Sequence, residues 1–399
     1  MTPEALLREA VARHQAGDLE GAAARYERLL AVRPDDANAL NLLGLVFRQR
    51  GDLPRALGLI RRAVALQPAA PVFLATLGGT LAEAGQLAAA VEALRAALAI
   101  RPNDPTSLRN LGQALCGLGR SGEALAPLRR AVALAPAAGE AHLALAHACR
   151  EAGKTAAAAA AARAALLLPN LAPQLAEQAR FLLAALGEGA APDRAPATYV
   201  RDLFDQYAPR FERDLEDKLA YRTPAALADL LAEAGLAADG SRQVLDLGCG
   251  TGLSGRALAP FAHRLEGVDL SPRMLAEAAR QGCYAALHEA DLLAFLPRHP
   301  GQFDLIAAAD VLNYLGELRP ALAGMATALR PGGYLAFSVE SGAGDTYALG
   351  PGLRYRHDLP ALRALLAALD LRILAERSLV LRQELGQPVA GAAFVLRVA

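Results

Sequence analysis

The chain has 399 residues, beyond the length at which single hydrophobic cores stop growing, and 54% of them are apolar, which excludes a disordered protein and points to two domains. Its 41 basic residues cancel its 41 acidic ones, and neither half carries a strong excess of one sign, so no nucleic-acid partner is expected. The opening MTPEALLREA places charges where a signal peptide needs an apolar run, and no stretch of about eighteen apolar residues is free of charge, so a cytoplasmic protein without a membrane span is expected.

The N-terminal half declares itself by period. Pro34, Pro68, Pro102 and Pro136 recur every 34 residues, as do Gly17, Gly51, Gly85, Gly119 and Gly153, and Ala22, Ala56, Ala90, Ala124 and Ala158. That is the period of the tetratricopeptide repeat, a helix–turn–helix unit. Glycine permits the tight turn between the two helices, alanine lets the second press on the first, and proline stops the second before the next begins. Leu43 with Gly44, Leu77 with Gly78, and Leu111 with Gly112 mark the tight face of each first helix. Five repeats are expected over residues 3 to about 170, then a capping helix near Pro173 to Leu186, so that a solenoid occupies residues 1–187. The first helices of such repeats line a groove whose polar members should include Asn41, Arg48, Arg109, Asn110, Gln113, His147 and Arg150. Such a set suits an extended acidic peptide or a carrier protein, and equally suits a solvated face with no partner. The stretch GEGAAPDRAPA then reads as a linker, over 188–199, to a domain over 200–399.

The chemistry is written in VLDLGCGTG, Val244 to Gly252, and in Asp269 of EGVDLSPRML. A buried strand runs into a turn in which Gly248, Gly250 and Gly252 alternate, where side chains would block a ligand's approach to the backbone. The spacing G-x-G-x-G differs from the G-x-G-x-x-G of dinucleotide sites, and Asp246 would repel a pyrophosphate and welcome an ammonium group. S-adenosylmethionine carries such an ammonium. Asp269 ends the second strand, where an acid accepts hydrogen bonds from ribose hydroxyls. Asp291 stands near the end of a third strand, suited to an adenine amino group, and FDLIAAAD makes a fourth strand. Cys249, Leu270, Met274, Leu292 and Ala309 complete the expected cofactor set. The segments LRILAERSLVLRQE and VAGAAFVLRVA flank GQP and read as a closing antiparallel hairpin. Cys116, Cys149, Cys249 and Cys283 form no C-x-x-C pair and have no accompanying histidines, so no metal site is expected.

Residues 242–399 therefore resemble a class I S-adenosylmethionine-dependent methyltransferase. The segments DLFDQYAPRFERDLEDKLAYRTP, LRYRHDLPAL and VLRQELGQPVAGAAFVL further resemble a bacterial group of predicted methyltransferases with tetratricopeptide repeats, over nearly the whole chain. The resemblance implies a multidomain fold: an all-α solenoid, then a Rossmann-like α/β domain with a seven-stranded sheet, its lid helices at 200–240 and its core at 241–399. It implies that Tyr207 and Phe211 belong to the lid, and that Tyr221, Arg222, Tyr355, His357, Arg382 and Glu384 lie on the substrate side.

Motifs narrow the acceptor. ADVLNYL after the fourth strand is neither the Pro-Pro run of amino-base DNA methylation nor the Pro-Cys of cytosine-C5 RNA enzymes, and no glutamate pair of arginine methylation is seen. A small or carrier-bound hydroxyl, carboxyl or amine is favoured. Tyr314, Asn313 and Glu340 stand at strand ends as positioning residues, and His357 is a candidate general base because imidazole titrates near neutrality; a surface histidine is the plainer reading. Two other classes stay open: a repeat scaffold carrying a non-catalytic methyltransferase-like domain, and transfer of a different group from a related sulfonium.

Overall fold

The computed structural model describes residues 2–208, 211, 221–343, 346–384 and 387–398. It divides into two compact units, Met1–Ala179 and Arg180–Ala399.

The first unit is a run of helix pairs: α1 (Pro3–Gln15) with α2 (Leu19–Val32), α3 (Ala37–Gln49) with α4 (Leu53–Leu66), α5 (Pro71–Glu83) with α6 (Leu87–Ile100), α7 (Pro105–Gly117) with α8 (Ser121–Leu134), and α9 (Gly139–Glu151) with α10 (Thr155–Leu166). The periodic glycines Gly17, Gly51, Gly85, Gly119 and Gly153 all have positive φ, between 70° and 80°, so each turn needs a residue without a Cβ. The second periodic glycine works differently. A Cβ on Gly44, Gly78 or Gly112 would lie 2.5, 2.5 or 2.3 Å from Ile60, Leu94 or Leu128, so each buried aliphatic of the second helix seats directly on a glycine of the first. In the fifth pair both positions are alanine, Ala146 and Ala162, both fully buried. A smaller residue in the second helix leaves room for a methyl in the first.

Helix α11 (Pro173–Ala185) straddles the boundary between the units. The stretch read as a linker does not hang free. Residues 192–197 belong to the second unit and are hydrogen-bonded into it, as described below.

The second unit is one nine-stranded sheet among the described residues. Strands β1 (Arg242–Leu247), β2 (Ala262–Asp269), β3 (Ala286–Glu289), β4 (Phe303–Ala308) and β5 (Leu329–Ser341) are parallel in the order β3-β2-β1-β4-β5. Beyond β5, β9 (Gln387–Val398) pairs antiparallel, and β8 (Leu371–Glu384) pairs with β9, which is the expected hairpin. The two strands above seven are the short β6 (Tyr347–Leu349) and β7 (Tyr355–His357), a segment too brief to carry a readable period. Glu340 pairs with Gly391 of β9 on one edge of β5 and with Arg356 of β7 on the other, the edge β4 occupies up to Phe337. The β6–β7 hairpin thus continues the sheet past the carboxyl end of β4, next to the loop that leaves that strand.

Alternation in the strands fills two layers. Leu245, Leu247, Ile306 and Phe337 pack against Leu322 and Met325 of α17 (Arg319–Ala328) and Leu362 and Leu366 of α18 (Leu359–Ala368). Val244, Leu265, Leu305 and Ala307 pack against Leu227 and Leu230 of α13 (Thr223–Glu233) and Leu258 of α14 (Leu253–Leu258). The carboxyl ends of the parallel strands stay uncovered by either layer, and α12 (Ala197–Tyr207) approaches there. No helix among the described residues is long and apolar enough to cross a membrane.

The glycine seats of the solenoid give a direct test. Gly78→Val should lower the stability of the helical unit by about 1–3 kcal/mol, the usual cost of overpacking, despite valine's lower backbone entropy in the unfolded chain. Urea unfolding followed by far-ultraviolet dichroism reads this; an unchanged helical transition would show that Leu94 moves aside without cost.

Candidate functional site

The glycine turn after β1 is held from two sides. Gly248 and Cys249 donate their N–H groups to the carbonyl of Val268 at 2.7 and 3.1 Å, and Gly250 donates to Oδ2 of Asp269 at 2.9 Å. All three glycines have positive φ, 63°, 53° and 94°. They serve different neighbours. A Cβ on Gly248 would strike Val311 at 2.4 Å and one on Gly252 would strike Gln281 at 2.7 Å, whereas one on Gly250 meets nothing closer than Phe211 at 3.8 Å. Gly250 is thus the one of the three whose Cβ direction is open, while Gly248 and Gly252 are closed by protein packing.

The turn opens on a cavity of about 460 Å³ at the carboxyl ends of β1, β2 and β4, within the ordinary size range of small-molecule sites. Of the expected cofactor residues, Gly248, Cys249, Gly250, Asp269, Leu270, Asp291, Leu292, Ala309 and Tyr207 line it. Asp269 accepts from Gly250 with Oδ2 and from Ser271 N–H at 2.8 Å with Oδ1, and burial pushes its pKa up to about 6. Asp291 caps α16 (Leu292–Phe295) by accepting from Leu293 N–H at 2.9 Å. Val200, Leu203, Phe204 and Tyr207 of α12 form one wall, and Phe204 meets Tyr314 edge-on with ring centroids 5.6 Å apart. Phe211 also lines the cavity; residues 209–210 and 212–220 of the expected lid lie outside the described residues.

Three of the expected cofactor residues do not line the cavity. Asp246 does not face the cavity: it is fully buried under the turn, where Oδ2 accepts from Ser254 Oγ and Tyr284 Oη, both at 2.6 Å, and Oδ1 has no hydrogen-bond partner. Burial raises its pKa to about 7. Its task is to fix the start of α14, and the carboxylates that face the cavity are Asp269, Asp291 and Asp310. Met274 is likewise buried beneath the site in α15 (Pro272–Arg280). Gly252 does not line this cavity and packs toward Gln281 and Tyr284.

The substrate-side expectations separate more sharply. Tyr221, Asn313, Tyr314 and Arg382 line the cavity. Glu340 is buried behind them, ion-paired with Arg382 and accepting from Asn313 Nδ2 at 3.4 Å. His357 does not reach the site. It sits in β7 and not at the surface, 3% exposed, with Nε2 donating to the carbonyls of Leu315 and Gly316 at 3.0 and 3.3 Å, and burial lowers its pKa. It is a structural strut between the hairpin and the loop after β4. Tyr355 is fully buried, donating to the carbonyl of Pro192 at 2.6 Å, and Arg222 is exposed at the start of α13. Neither lines the cavity. The side chain of Glu384 lies outside the described residues.

Asp310, Thr251, Phe204, Arg354 and Arg194 also line the cavity and are not among the residues expected there. Asp310 adopts a left-handed backbone conformation, φ 57°, uncommon for a residue with a side chain. Its N–H donates to Ser338 Oγ at 2.9 Å, that hydroxyl donates back to Oδ1 at 3.2 Å, and Arg382 lies 3.9 Å from Oδ2. Burial pushes its pKa up to about 6 although Arg382 and Arg354 oppose this. Its place at the end of FDLIAAAD was the available signal. Phe204 was readable from α12, where Val200, Leu203, Phe204 and Tyr207 share one helical face; nothing in the sequence marks Arg194.

In the solenoid, the three arginines of the polar set have partners within the protein. Asn41 is buried, Arg48 pairs with Glu83, Arg109 reaches Asn110 Oδ1 at 3.5 Å, and Arg150 lies 3.5 Å from Glu151. Burial and the Arg150 charge push His147 down to about 4. Gln113 is exposed. Arg48 and Asn110 share a small cavity of about 200 Å³ with Thr76, Arg101 and Ser107.

The parallel strand order with a cavity at the carboxyl ends of the strands defines a doubly wound α/β domain. The methyltransferase domain family matches it over residues 244–333, and the tetratricopeptide repeat families match residues 7–71, 109–176 and 78–119. The chain thus joins tetratricopeptide repeats to a methyltransferase domain of the kind that uses S-adenosylmethionine. It is similar to the ubiquinone biosynthesis O-methyltransferase of Aromatoleum aromaticum (32% identity over 110 residues, 27% of this chain and 46% of the relative). It is similar also to the trans-aconitate 2-methyltransferase of Methylobacterium nodulans (42% over 125 residues, 31% and 46%) and the malonyl-[acyl-carrier protein] O-methyltransferase of Enterobacter lignolyticus (34% over 140 residues, 35% and 53%). The chain spans about half the length of these curated relatives.

Buried Asp246 makes stability pH-dependent. Its pKa rises from 3.8 to about 7 on folding, so the native state retains a proton the unfolded chain gives up, and this group's contribution to stability falls as pH climbs through that window. Without ligand, Asp246→Asn should therefore gain on the parent protein between pH 4 and 7 and no further above. Urea unfolding at several pH values measures the difference; a constant difference would show that Asp246 ionises normally.

Proposed function

We propose that the Arg180–Ala399 unit is an S-adenosylmethionine-dependent methyltransferase acting on a hydroxyl, carboxyl or amine of a small or carrier-borne acceptor, and that the repeats recruit the protein that carries or supplies it. The observation that carries this is the cavity at the strand ends, with Gly250 open to it and Asp269 inside it. The residues fit the cofactor. Thr251 and Asn313 line the cavity, and their oxygens Oγ1 and Oδ1 are buried without hydrogen-bond partners, which leaves polar capacity unused beside the cavity. Asp269 suits the ribose hydroxyls and Asp291 the adenine amino group. When bound, S-adenosylmethionine supplies a methyl group on a sulfonium, activated for in-line displacement.

The chain's own residues then hold and shield the acceptor. Tyr221, Asn313 and Arg382 present polar atoms at the cavity's inner end, and Phe204, Tyr207, Phe211 and Tyr314 exclude water from it. Asp310 takes the part first given to His357: its carboxylate faces the cavity, and a pKa of about 6 lets it accept a proton from an acceptor at neutral pH. Oxygen acceptors are favoured because two of the three relatives above are named as O-methyltransferases, and one of these acts on an acyl-carrier protein, in keeping with a carrier-borne acceptor.

Asp269→Ala should weaken binding of S-adenosylhomocysteine by about 1–3 kcal/mol, since it removes the ribose partner and unpins the Gly250 amide together. Isothermal titration measures it, and unchanged affinity would contradict the ribose site. A chain lacking residues 1–172 should bind S-adenosylhomocysteine as the whole chain does and yet transfer little label from S-adenosylmethionine to proteins or small molecules of a cell extract. Equal labelling would refute recruitment by the repeats. Absence of binding by the intact chain would favour a repeat scaffold with a non-catalytic domain.

A further inference from the structure

The glycine- and proline-containing stretch before α12 is composed like a spacer but bonded like a core element. Asp193 accepts at its carbonyl from the N–H groups of Gly316 and Glu317, at 2.7 and 2.9 Å, and Ala195 N–H donates to the carbonyl of Tyr314 at 2.8 Å. Arg194 bridges to Leu315 in antiparallel fashion. Two hairpin tyrosines add to this: Tyr355 Oη donates to the carbonyl of Pro192 at 2.6 Å and Tyr347 Oη to Asp193 Oδ1 at 3.0 Å. The segment therefore runs along the loop that leaves β4, joined to it by a single antiparallel bridge at Arg194 and the backbone hydrogen bonds on either side.

What it brings to the cavity is a cation. Arg194 lines the cavity, and its Nη1 donates at 3.0 Å to Oδ2 of Asp291, while Oδ1 of the same carboxylate accepts from Leu293 N–H. Both oxygens of Asp291 are thereby fixed in direction, one by its own helix and one from 97 residues upstream. A carboxylate held this way keeps further lone pairs for a ligand, and the guanidinium offsets the cost of keeping its charge in a half-buried place.

We propose that the segment 192–195 is a built-in wall of the cofactor site and that Arg194 is a positioning residue, aiming Asp291 at the amino group of the adenine ring. The proposal rests on the S-adenosylmethionine reading above. It places part of the cofactor site outside the stretch that matches the methyltransferase family, 244–333. The specificity it assigns is for adenine over a base with oxygen in place of the exocyclic amine, because a carboxylate aimed at that position accepts from N–H and repels a carbonyl oxygen.

The test titrates the full chain and its Arg194→Ala and Arg194→Lys variants with S-adenosylhomocysteine and with its analogue in which the adenine amino group is replaced by oxygen. The parent chain should bind the adenine form about tenfold or more tightly than the analogue, a scale set by one charged hydrogen bond. Arg194→Ala should lose about fivefold in affinity for the adenine form and most of the discrimination, and Arg194→Lys should restore part of both. Wild-type affinity and discrimination in Arg194→Ala would overturn the proposal. A parent chain that binds neither compound would instead overturn the cofactor reading, and equal weakening toward both compounds, with discrimination intact, would reduce Arg194 to a structural prop and refute the aiming role.

Discussion

One carboxylate organises the second unit of this protein. Asp269, at the end of β2, accepts from Gly250 in the turn after β1 and from Ser271 at the head of α15, so the ends of two adjacent parallel strands are tied at one side chain. Because a buried carboxylate is costly unless its oxygens are engaged, the turn cannot leave Asp269 without exposing that cost. The shape of the cavity follows. The turn held by Asp269 sets where α14 starts, and Asp246 beneath it secures the same helix through Ser254. On the far side, Ser271 donates to Asp205 and Arg201 donates to the carbonyl of Leu270, so α12 is fastened to the residues next to Asp269 and its aromatic face is directed over the opening.

The inner end of the cavity follows a different logic. Arg382 comes from the β8–β9 hairpin, Glu340 from the end of β5, Asp310 and Asn313 from the loop after β4, and Tyr221 from the start of the second layer. Opposite charges in a poorly hydrated place hold one another strongly, and removing any one leaves its partners buried and unmatched. Burial pushes the Tyr221 hydroxyl well above its ordinary range, so it stays a neutral hydrogen-bonding group. The closing hairpin, which in outline only finishes the sheet, is what delivers the cation.

How much of this was legible follows the length scale of each constraint. The solenoid was readable because its rule repeats: a turn glycine with positive φ and a helix glycine under an aliphatic recur at fixed spacing. The main parallel strands β1, β2 and β4 were readable because each is a run of buried aliphatics ending at or next to an acid or a glycine. The individual tasks were not. Asp246 and Asp269 look alike as strand-end acids, yet one ends inside the helix layer and the other in the cavity, a difference set by which way the chain turns after the strand. His357 suggested a base by residue type, but a three-residue strand with alternating burial carried it inward onto the carbonyls of Leu315 and Gly316. The composition of 187–197 suggested slack chain, and its contacts come from backbone groups and distant tyrosines that composition does not encode.

The three glycines of the turn also bear on how such a signature behaves under change. They look like one motif but answer to three separate neighbours: Val311 for Gly248, the ligand's side of the cavity for Gly250, and Gln281 with Tyr284 for Gly252. Two of the three are matched to side chains that can themselves be exchanged. A smaller residue at 311 would ease the crowding at Gly248, leaving mainly the backbone's left-handed requirement, which asparagine also meets at modest cost, whereas at Gly252 a smaller residue at 281 still leaves Tyr284 at 3.2 Å. Gly250 is the least crowded of the three, so within the protein itself the motif is held more tightly at its ends than at its centre.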